Sequence, residues 1–298
     1  MEVNQELARI TAQLLQQGYI ADRQICMTLH LARLLQKPVL LEGPAGVGKT
    51  EIAKVLAALD EAELIRLQCY EGLDANQAIY EWNYQRQLLF LKMSEQDGRS
   101  LQEKETAIFG RDFLLERPLL KAISGTEPKV LLIDELDRAD EEFESFLLEI
   151  LSDWQISIPE IGTISAERIP AVVITSNRTR ELSDALRRRC LYLWIDYPEA
   201  EKEVAIIRSR LPQIDQKLAE QIGAFMAEVR QQRLEKVPGI AETLDWATTL
   251  AALHIDHLDK AVVEDTLGVI LKDWKDMRET QDSLSELFDR VGIISKVG

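Results

Sequence analysis

The chain has 298 residues, of which 46% are hydrophobic and 29% charged, so it is long enough for one large globular domain and a smaller one. Its 51 acidic residues outnumber its 35 basic ones, and the resulting net charge of −16 argues against a protein that tracks along nucleic acid. No apolar run is long enough to cross a bilayer, and the N-terminal residues lack the basic region and apolar core of a signal peptide.

A short apolar run, Val39–Leu41, is followed by the glycine-rich spacing G-x-x-x-x-G-K-T. The run predicts a buried strand, and the residues after Thr50 predict a helix with apolar side chains on one side. Glycines in such a loop allow backbone N–H groups to surround phosphate oxygens, and the helix N-terminus adds partial positive charge. This context favours a P-loop over a glycine-rich turn before an ordinary helix, with Lys49 on the β- and γ-phosphates and Thr50 on Mg²⁺. The predicted nucleotide-binding residues are Gly43, Pro44, Ala45, Gly46, Val47, Gly48, Lys49 and Thr50.

Further strand-like runs alternate with helical patterns, which is typical of an α/β fold with a parallel sheet. A helical segment of about residues 4–35 precedes the first strand, and strand patterns stop after Pro198. We therefore expect an α/β domain over residues 1–198 and a smaller all-helical domain over residues 199–298. The polar segment Ser94–Ser100 predicts an exposed loop. The five predicted strands are Val39–Leu41, Leu64–Cys69, Val130–Ile133, Ala171–Thr175 and Leu191–Ile195.

Two acidic residues, Asp134 and Glu135, directly follow the third predicted strand. Carboxylates at this point lie at the C-terminal edge of a buried parallel strand, where ligands bind in open α/β sheets. In a P-loop protein, Asp134 is expected to hold Mg²⁺ together with Thr50, and Glu135 to act as general base toward the attacking water. The alternative is that Asp134 and Glu135 are only solvated acids at the end of a strand. The P-loop in the same chain argues against this alternative.

Polar residues also follow the fourth predicted strand and precede the fifth. Asn177 is placed to hydrogen-bond the attacking water or the γ-phosphate if its strand lies beside the one ending at Asp134, although alone it is a common turn residue. Three arginines lie just before the fifth strand: Arg187, Arg188 and Arg189. Such a charge run is usually a solvated face, but an arginine here can also reach the γ-phosphate of a neighbouring subunit and stabilise the transition state.

Together these motifs, with the all-helical C-terminal region, resemble those of the AAA+ ATPases. Within that group the chain is similar to the MoxR family, because residues 154–170 alternate apolar and polar residues about a Glu-Ile-Gly-Thr turn, as the hairpin before sensor 1 does there. The segment Asp74–Phe113 corresponds to the helix-2 insert of that family, and Pro238–Trp246 resembles the lid motif of a CoxD-like branch. The resemblance covers nearly the whole chain.

The resemblance agrees with the roles given above to the P-loop and the acid pair, and it adds others. It implies that Asn177 is sensor 1 and that Arg189, which directly precedes the strand-opening residue Cys190, is the arginine finger, with Arg188 as the runner-up. Many AAA+ proteins also place an arginine in the lid, where it contacts the γ-phosphate. In this chain Glu242 and Thr243 occupy the matching turn, so either the contact is absent or another residue supplies it.

The resemblance implies a Mg²⁺-dependent ATPase that binds ATP between the subunits of a ring, expected to be a hexamer, and remodels a protein client. Chaperone work of this kind includes maturing an enzyme or inserting a metal cofactor, often with a partner that carries a von Willebrand A domain. Two other functions stay open: a DNA-directed AAA+ machine, such as a clamp-loader-like or McrB-like subunit, and a nucleotide-gated binding module with negligible turnover. The acidic charge argues against the first, and Glu135 argues against the second.

The same observations carry expectations about partners and location. We expect a homo-oligomer with a protein client, no nucleic-acid partner and no membrane insertion. The three cysteines, Cys26, Cys69 and Cys190, are scattered and odd in number, which predicts free thiols in a reducing, cytoplasmic environment.

Overall fold

The computed structural model describes residues 2–94 and 100–292. The chain divides into two compact units, here named the sheet unit and the helical unit. The sheet unit contains residues 27–42 and 53–193, and the helical unit contains the described residues within 1–26, 43–52 and 194–298. The domain boundary expected near residue 198 stays a prediction. In the described part of the chain, no helix is both long enough and apolar enough to cross a membrane.

Elements are numbered along the chain. The strands are β1 (Val39–Glu42), β2 (Glu63–Gln68), β3 (Tyr80–Trp82), β4 (Leu114–Glu116), β5 (Lys129–Asp134), β6 (Gln155–Ile158), β7 (Gly162–Ser165), β8 (Ala171–Ser176) and β9 (Leu191–Trp194). The helices are α1 (Glu2–Gln16), α2 (Arg23–Leu35), α3 (Lys49–Leu59), α4 (Ala75–Ile79), α5 (Tyr84–Met93), α6 (Leu101–Ile108), α7 (Pro118–Ile123), α8 (Glu141–Asp153), α9 (Asp184–Arg189), α10 (Ala200–Arg210), α11 (Gln216–Arg230), α12 (Ile240–Ala252), α13 (Lys260–Ile270) and α14 (Trp274–Val291). The N-terminal helical segment predicted over residues 4–35 is thus two helices, with left-handed Gly18 (φ +73°) in the break between them.

Five strands form one sheet in the order β2-β5-β8-β1-β9. The pairs β2–β5, β5–β8 and β1–β8 are parallel, so the carboxyl ends of these strands lie at the same edge. Each of the five strands matches a predicted one, and no end differs by more than one residue. The predicted fold class, an α/β P-loop sheet with flanking helices followed by a helical region, is confirmed.

The burial of each strand follows its place in the sheet. Nearly every residue of β1, β5 and β8 is buried, as expected for central parallel strands that are covered on both faces. The outer strand β2 instead alternates: Ile65 and Leu67 are buried, whereas Arg66 is exposed and Gln68 is partly buried. Two polar side chains of β2 therefore share one face of the strand, because residues two apart point the same way.

Smaller elements complete the sheet unit. The segment between β2 and β5 contains α4 to α7 and an antiparallel pair, β3–β4, and the segment between α8 and β8 contains the hairpin β6–β7. Of the loop expected over Ser94–Ser100, residues 95–99 lie outside the described residues. Ser94 follows the last residue of α5, and Ser100 caps the N-terminus of α6 together with Glu103.

The helical unit has its own apolar core. Along α11 the residues Leu218, Ile222, Phe225 and Val229 are buried at three- and four-residue spacing, which places them on one face of the helix. Phe225 packs against Trp246 of α12 with ring centroids 5.4 Å apart. Burial of each such side chain contributes about 1.5–3 kcal/mol, so this helix is held by packing rather than by its intrinsic propensity.

Candidate functional site

The P-loop, which connects β1 to α3, adopts a backbone that requires glycine. Gly43, Gly46 and Gly48 have φ angles of +157°, +79° and +89°, which residues with a side chain rarely adopt. A Cβ atom at Gly43 would lie 1.9 Å from the carbonyl oxygen of Ile195, and one at Gly46 would lie 2.9 Å from Cα of Gly239. Close packing and dihedral angle thus both select glycine at the first two positions.

The loop presents groups that suit an anion. The backbone N–H groups of residues 46–48 donate to no group in the described part of the chain. Helix α3 begins directly afterwards at Lys49, so its partial positive end adds to the field of these N–H groups. The Lys49 side chain is buried, and its Nζ donates to the carbonyl oxygens of Gly43 at 2.8 Å and Pro44 at 2.6 Å. This combination fits the phosphates of a nucleotide.

The P-loop also contacts the turn that precedes α12. The N–H of Ile240 donates to the carbonyl oxygen of Gly46 at 2.9 Å, and the Tyr197 hydroxyl lies 3.4 Å from the carbonyl oxygen of Ala45. Glu242 accepts from the N–H of Gly239 at 2.9 Å and so caps α12. Glu242, which occupies the turn where many AAA+ proteins carry the lid arginine, therefore caps the N-terminus of α12.

A buried ion pair lies under this turn. Arg230, the last residue of α11, donates to both carboxylate oxygens of Glu203 at 2.6 and 2.7 Å, and to the carbonyl oxygen of Pro238 at 2.8 Å. Thr243 donates to the same carboxylate at 2.6 Å. The Arg230 guanidinium also lies 4.9 Å from the ring centroid of Tyr197. Arg230 thus ties the turn that contacts the P-loop to the core of the helical unit.

The predicted acid pair ends β5 in the sheet unit. Thr175 of the neighbouring strand holds both residues, since its Oγ1 donates to Asp134 Oδ1 at 2.6 Å and accepts from the N–H of Glu135 at 2.9 Å. The pairing of Ile133 with Ile174 sets this register. Glu135 has a left-handed backbone with φ +55°, a conformation that costs about 1–3 kcal/mol for a residue other than glycine and that concentrates at functional sites.

Three further side chains contact the acid pair, and the sequence analysis did not predict them. Arg66 on β2 donates from Nη2 at 2.5 Å and from Nε at 3.0 Å to Asp134 Oδ2. Gln68 Nε2 donates to Glu135 Oε2 at 3.1 Å, and Arg138 Nε lies 3.0 Å from the same oxygen. For Arg66 and Gln68, the sequence signal was their polar character at alternate positions of β2. That signal points to the acid pair only when β2 is known to lie beside β5.

Asn177 follows β8 and lies beside the predicted base. Its Nδ2 is 3.5 Å from Glu135 Oε1, at the outer limit of a hydrogen bond. Its backbone N–H donates to Asp137 at 3.2 Å, and Asp137 also accepts from Thr179 N–H at 2.9 Å. Asp137 therefore fixes the turn that carries Asn177, a role that the sequence analysis did not assign.

The three consecutive arginines have different surroundings. Arg187 Nη2 contacts both carboxylate oxygens of the fully buried Glu42 at 2.9 and 3.1 Å, so it is held by a residue of the same chain. Arg189 is exposed and donates to Ser152 Oγ at 3.0 Å. The Arg188 side chain is exposed and forms no hydrogen bond or ion pair with the residues that the structure describes. Both candidate fingers thus lie at the surface.

The predicted site residues fall into two groups. Asp134, Glu135 and Asn177 are brought together in the sheet unit, which also carries Arg189. The P-loop residues 43–50 belong to the helical unit.

Cys69 lies directly beyond β2 at this edge of the sheet. Its backbone N–H donates to the carbonyl oxygen of Asp134 at 2.9 Å, and its thiol is free and buried. Burial, reinforced by the negative charge of Asp134, raises the pKa of the Cys69 thiol to about 12. Because the thiolate is the reactive form, this cysteine is unreactive near neutral pH.

A parallel sheet with a P-loop after β1 and an acid pair after β5, which is separated from β1 by β8, defines a P-loop NTPase. A family model described as AAA domain (dynein-related subfamily) matches residues 38–190, about half of the chain. The chain belongs to this dynein-related family of AAA+ ATPases.

Known proteins show the same relationship at low identity. The gas vesicle ATPase GvpN of Haloferax mediterranei is 26% identical over 240 residues, which cover 77% of this chain and 66% of the relative, just under two thirds of its length. An uncharacterized protein of Staphylococcus aureus is 26% identical over 246 residues, covering 78% of this chain and 85% of the relative. Among solved structures, a RuvB mutant of Thermotoga maritima is 20% identical with a TM-score of 0.49, covering 97% of this chain and 83% of that one.

Proposed function

We propose that the chain binds ATP with Mg²⁺ and hydrolyses the nucleotide. Lys49 contacts the β- and γ-phosphates, Thr50 and Asp134 hold the metal, and Glu135 is the general base. Hydroxyl and carboxylate oxygens are the hard ligands that suit Mg²⁺, which, when bound, neutralises charge on the phosphate oxygens. The observation that carries the proposal is the acid pair held by Thr175 at the carboxyl edge of the sheet.

The chain's own residues suggest how the water is activated. Glu135 Oε1 accepts the proton, and Asn177 Nδ2, which lies 3.5 Å from that oxygen, donates to the same water and orients it. Arg189 acts on the γ-phosphate bound by a second copy of the chain, and its exposed position agrees with this role.

The test separates nucleotide binding from turnover. Glu135→Gln should bind fluorescent ATP normally and release phosphate roughly two to four decades more slowly, because it loses the base but keeps a polar group of similar size. Lys49→Ala, the matched control, should lose nucleotide affinity. If Glu135→Gln hydrolyses ATP like the parent, Glu135 is not the base.

We further propose a MoxR-type role in the CoxD-like branch, in which a cytoplasmic hexameric ring remodels a protein client. AAA+ ATPases typically form rings, and the GvpN relative is itself an ATPase. The client is an enzyme that the ring matures or into which it helps to insert a metal cofactor. A partner protein with a von Willebrand A domain acts together with the ring. Support for a protein client comes from large apolar side chains on α5 and α6 that are 58–87% exposed. These are Tyr84, Leu88, Leu89, Met93 and Leu101.

A nucleotide trap tests the client proposal. Glu135→Gln with ATP should retain a specific protein, and the retained protein should be lost when ATP is omitted or when Lys49→Ala replaces the trap. Replacement of Leu89 and Met93 by serine within the trap should weaken retention without reducing ATP binding. Equal retention by all of these proteins would contradict a nucleotide-dependent client.

A further inference from the structure

Asp134 is a buried carboxylate whose charge is compensated by an arginine of the same sheet. Its side chain is 4% exposed, and Oδ1 accepts from Thr175 while Oδ2 accepts from two nitrogens of Arg66. An ionised carboxylate buried this deeply requires a partner of opposite charge or several hydrogen bonds. Arg66 is itself 55% exposed, so its guanidinium is free to move toward solvent when Asp134 takes another partner.

The same guanidinium also contacts a residue that holds the proposed base. Arg66 Nη2 donates to Gln68 Oε1 at 2.6 Å, and Gln68 Nε2 donates to Glu135 Oε2 at 3.1 Å. A continuous chain of hydrogen bonds therefore joins the proposed metal ligand to the proposed base. Neither Arg66 nor Gln68 lies in a motif of the P-loop or the acid pair.

Arg66 and Gln68 are positioned by the pairing of β2 with β5 and not by a surface loop. Positions 66 and 68 lie on the same face of β2, and the register pairs Gln68 with Asp134 and Arg66 with Leu132. The long arginine side chain therefore runs along the strand toward the carboxyl edge, where it reaches Asp134. Both contacts follow from the register of β2 against β5.

We propose that Arg66 is a positioning residue that holds Asp134 in the metal-free state and couples metal binding at Asp134 to the release of Glu135. This inference rests on the proposed ATP and Mg²⁺ site. Asp134 cannot offer the same Oδ2 lone pairs to a guanidinium and to a dication, and the two cations repel each other. Asp134 must therefore give up Arg66 when it turns to the metal. Gln68 then loses a donor and its hold on Glu135 weakens.

The test measures the Mg²⁺ concentration that half-saturates binding of fluorescent ATP. Arg66→Gln should lower this concentration roughly three- to tenfold, because a half-exposed guanidinium competes only moderately with a dication. In EDTA the same variant should bind ATP more weakly than the parent, since Asp134 then lacks the positive charge of Arg66. Arg117→Gln is the matched control: it removes an arginine of similar exposure that pairs with Glu81 in the same unit, and it should leave the half-saturating concentration at the parent value.

Two further variants test the coupling and guard against misfolding. Arg66→Lys keeps the charge but lacks the fork that spans Asp134 and Gln68, so it should lower the half-saturating concentration by a smaller factor than Arg66→Gln. Gln68→Leu should lower it about twofold, and adding it to Arg66→Gln should cause no further change, because the two residues act through one contact. Additive effects would overturn the coupling.

The outcomes separate this inference from the proposed function. If Arg66→Gln and Arg66→Lys bind ATP with the Mg²⁺ requirement of the parent, Arg66 does not compete for Asp134 and the inference is wrong. If the parent itself binds no ATP at any Mg²⁺ concentration, the proposed function fails instead.

Discussion

The buried ion pair of the helical unit gives a stability prediction that the structure makes quantitative. Arg230→Ala removes the partner of Glu203, and the two side chains are 6% and 0% exposed. The variant leaves a buried carboxylate with Thr243 Oγ1, at 2.6 Å, as a remaining donor. Removing one member of a buried pair typically costs about 3–5 kcal/mol, because the other charge stays in a medium of low polarity. We expect a loss of this size in the free energy of unfolding, measured in urea by tryptophan fluorescence.

Two comparisons make this test decisive. Arg290→Ala removes an exposed arginine that lies 3.8 Å from the partly exposed Glu228 in the same unit, and should cost at most about 1 kcal/mol. Arg230→Met combined with Glu203→Leu removes both charges and should be much less harmful than Arg230→Ala alone, since no buried charge remains. A loss for Arg230→Ala no greater than that of Arg290→Ala would refute the reasoning.

Three other predictions concern the P-loop, the Cys69 thiol and the net charge of the chain. Gly46→Ala should lose most of its ATP affinity in calorimetry, because its Cβ would lie 2.9 Å from Gly239 and the φ of +79° is left-handed; affinity equal to the parent would exclude this packing. The Cys69 thiol has a pKa of about 12, so roughly one part in ten thousand is thiolate at pH 8. Mass spectrometry should therefore find Cys69 unmodified by iodoacetamide until urea is added. Without urea, labelling of Cys69 should increase only as the pH approaches 12. With a net charge of −16, the protein should show little DNA or RNA binding by fluorescence anisotropy at physiological salt, whereas tight, salt-sensitive duplex binding would support the DNA-directed alternative.

The sheet was predictable because its signals are local. Each strand is a short apolar run, and the central strands are apolar without interruption because both of their faces are covered. The P-loop was predictable for a related reason: the left-handed angles of Gly46 and Gly48 and the start of α3 at Lys49 all belong to one continuous stretch of sequence. The acid pair follows from the same reasoning, since Asp134 is the last residue of its strand.

The contacts around the site were not predictable because they join residues far apart in the chain. The Arg66–Asp134 contact spans 68 positions and exists only because β2 lies beside β5. Thr175 reaches Asp134 through the β5–β8 register, which no local pattern of apolar residues specifies. The break within the predicted N-terminal helical segment was not predictable either, because a helical pattern continues on both sides of Gly18, where the backbone turns left-handed.

The central claim is that the chain hydrolyses ATP at Glu135 with an arginine supplied by a second copy, and mixing two inactive variants tests it most directly. Lys49→Ala lacks an intact P-loop, and Arg189→Ala lacks the proposed finger, which contributes on the order of three to five decades in rate in related enzymes. Each variant alone should release little phosphate, and the mixture should regain activity because an intact P-loop can then meet an intact Arg189. Recovery with Arg188→Ala in place of Arg189→Ala, with Arg189→Ala itself active, would move the finger by one residue. Arg188→Ala and Arg189→Ala proteins that are both as active as the parent, or a mixture no more active than the sum of its parts, would contradict the claim.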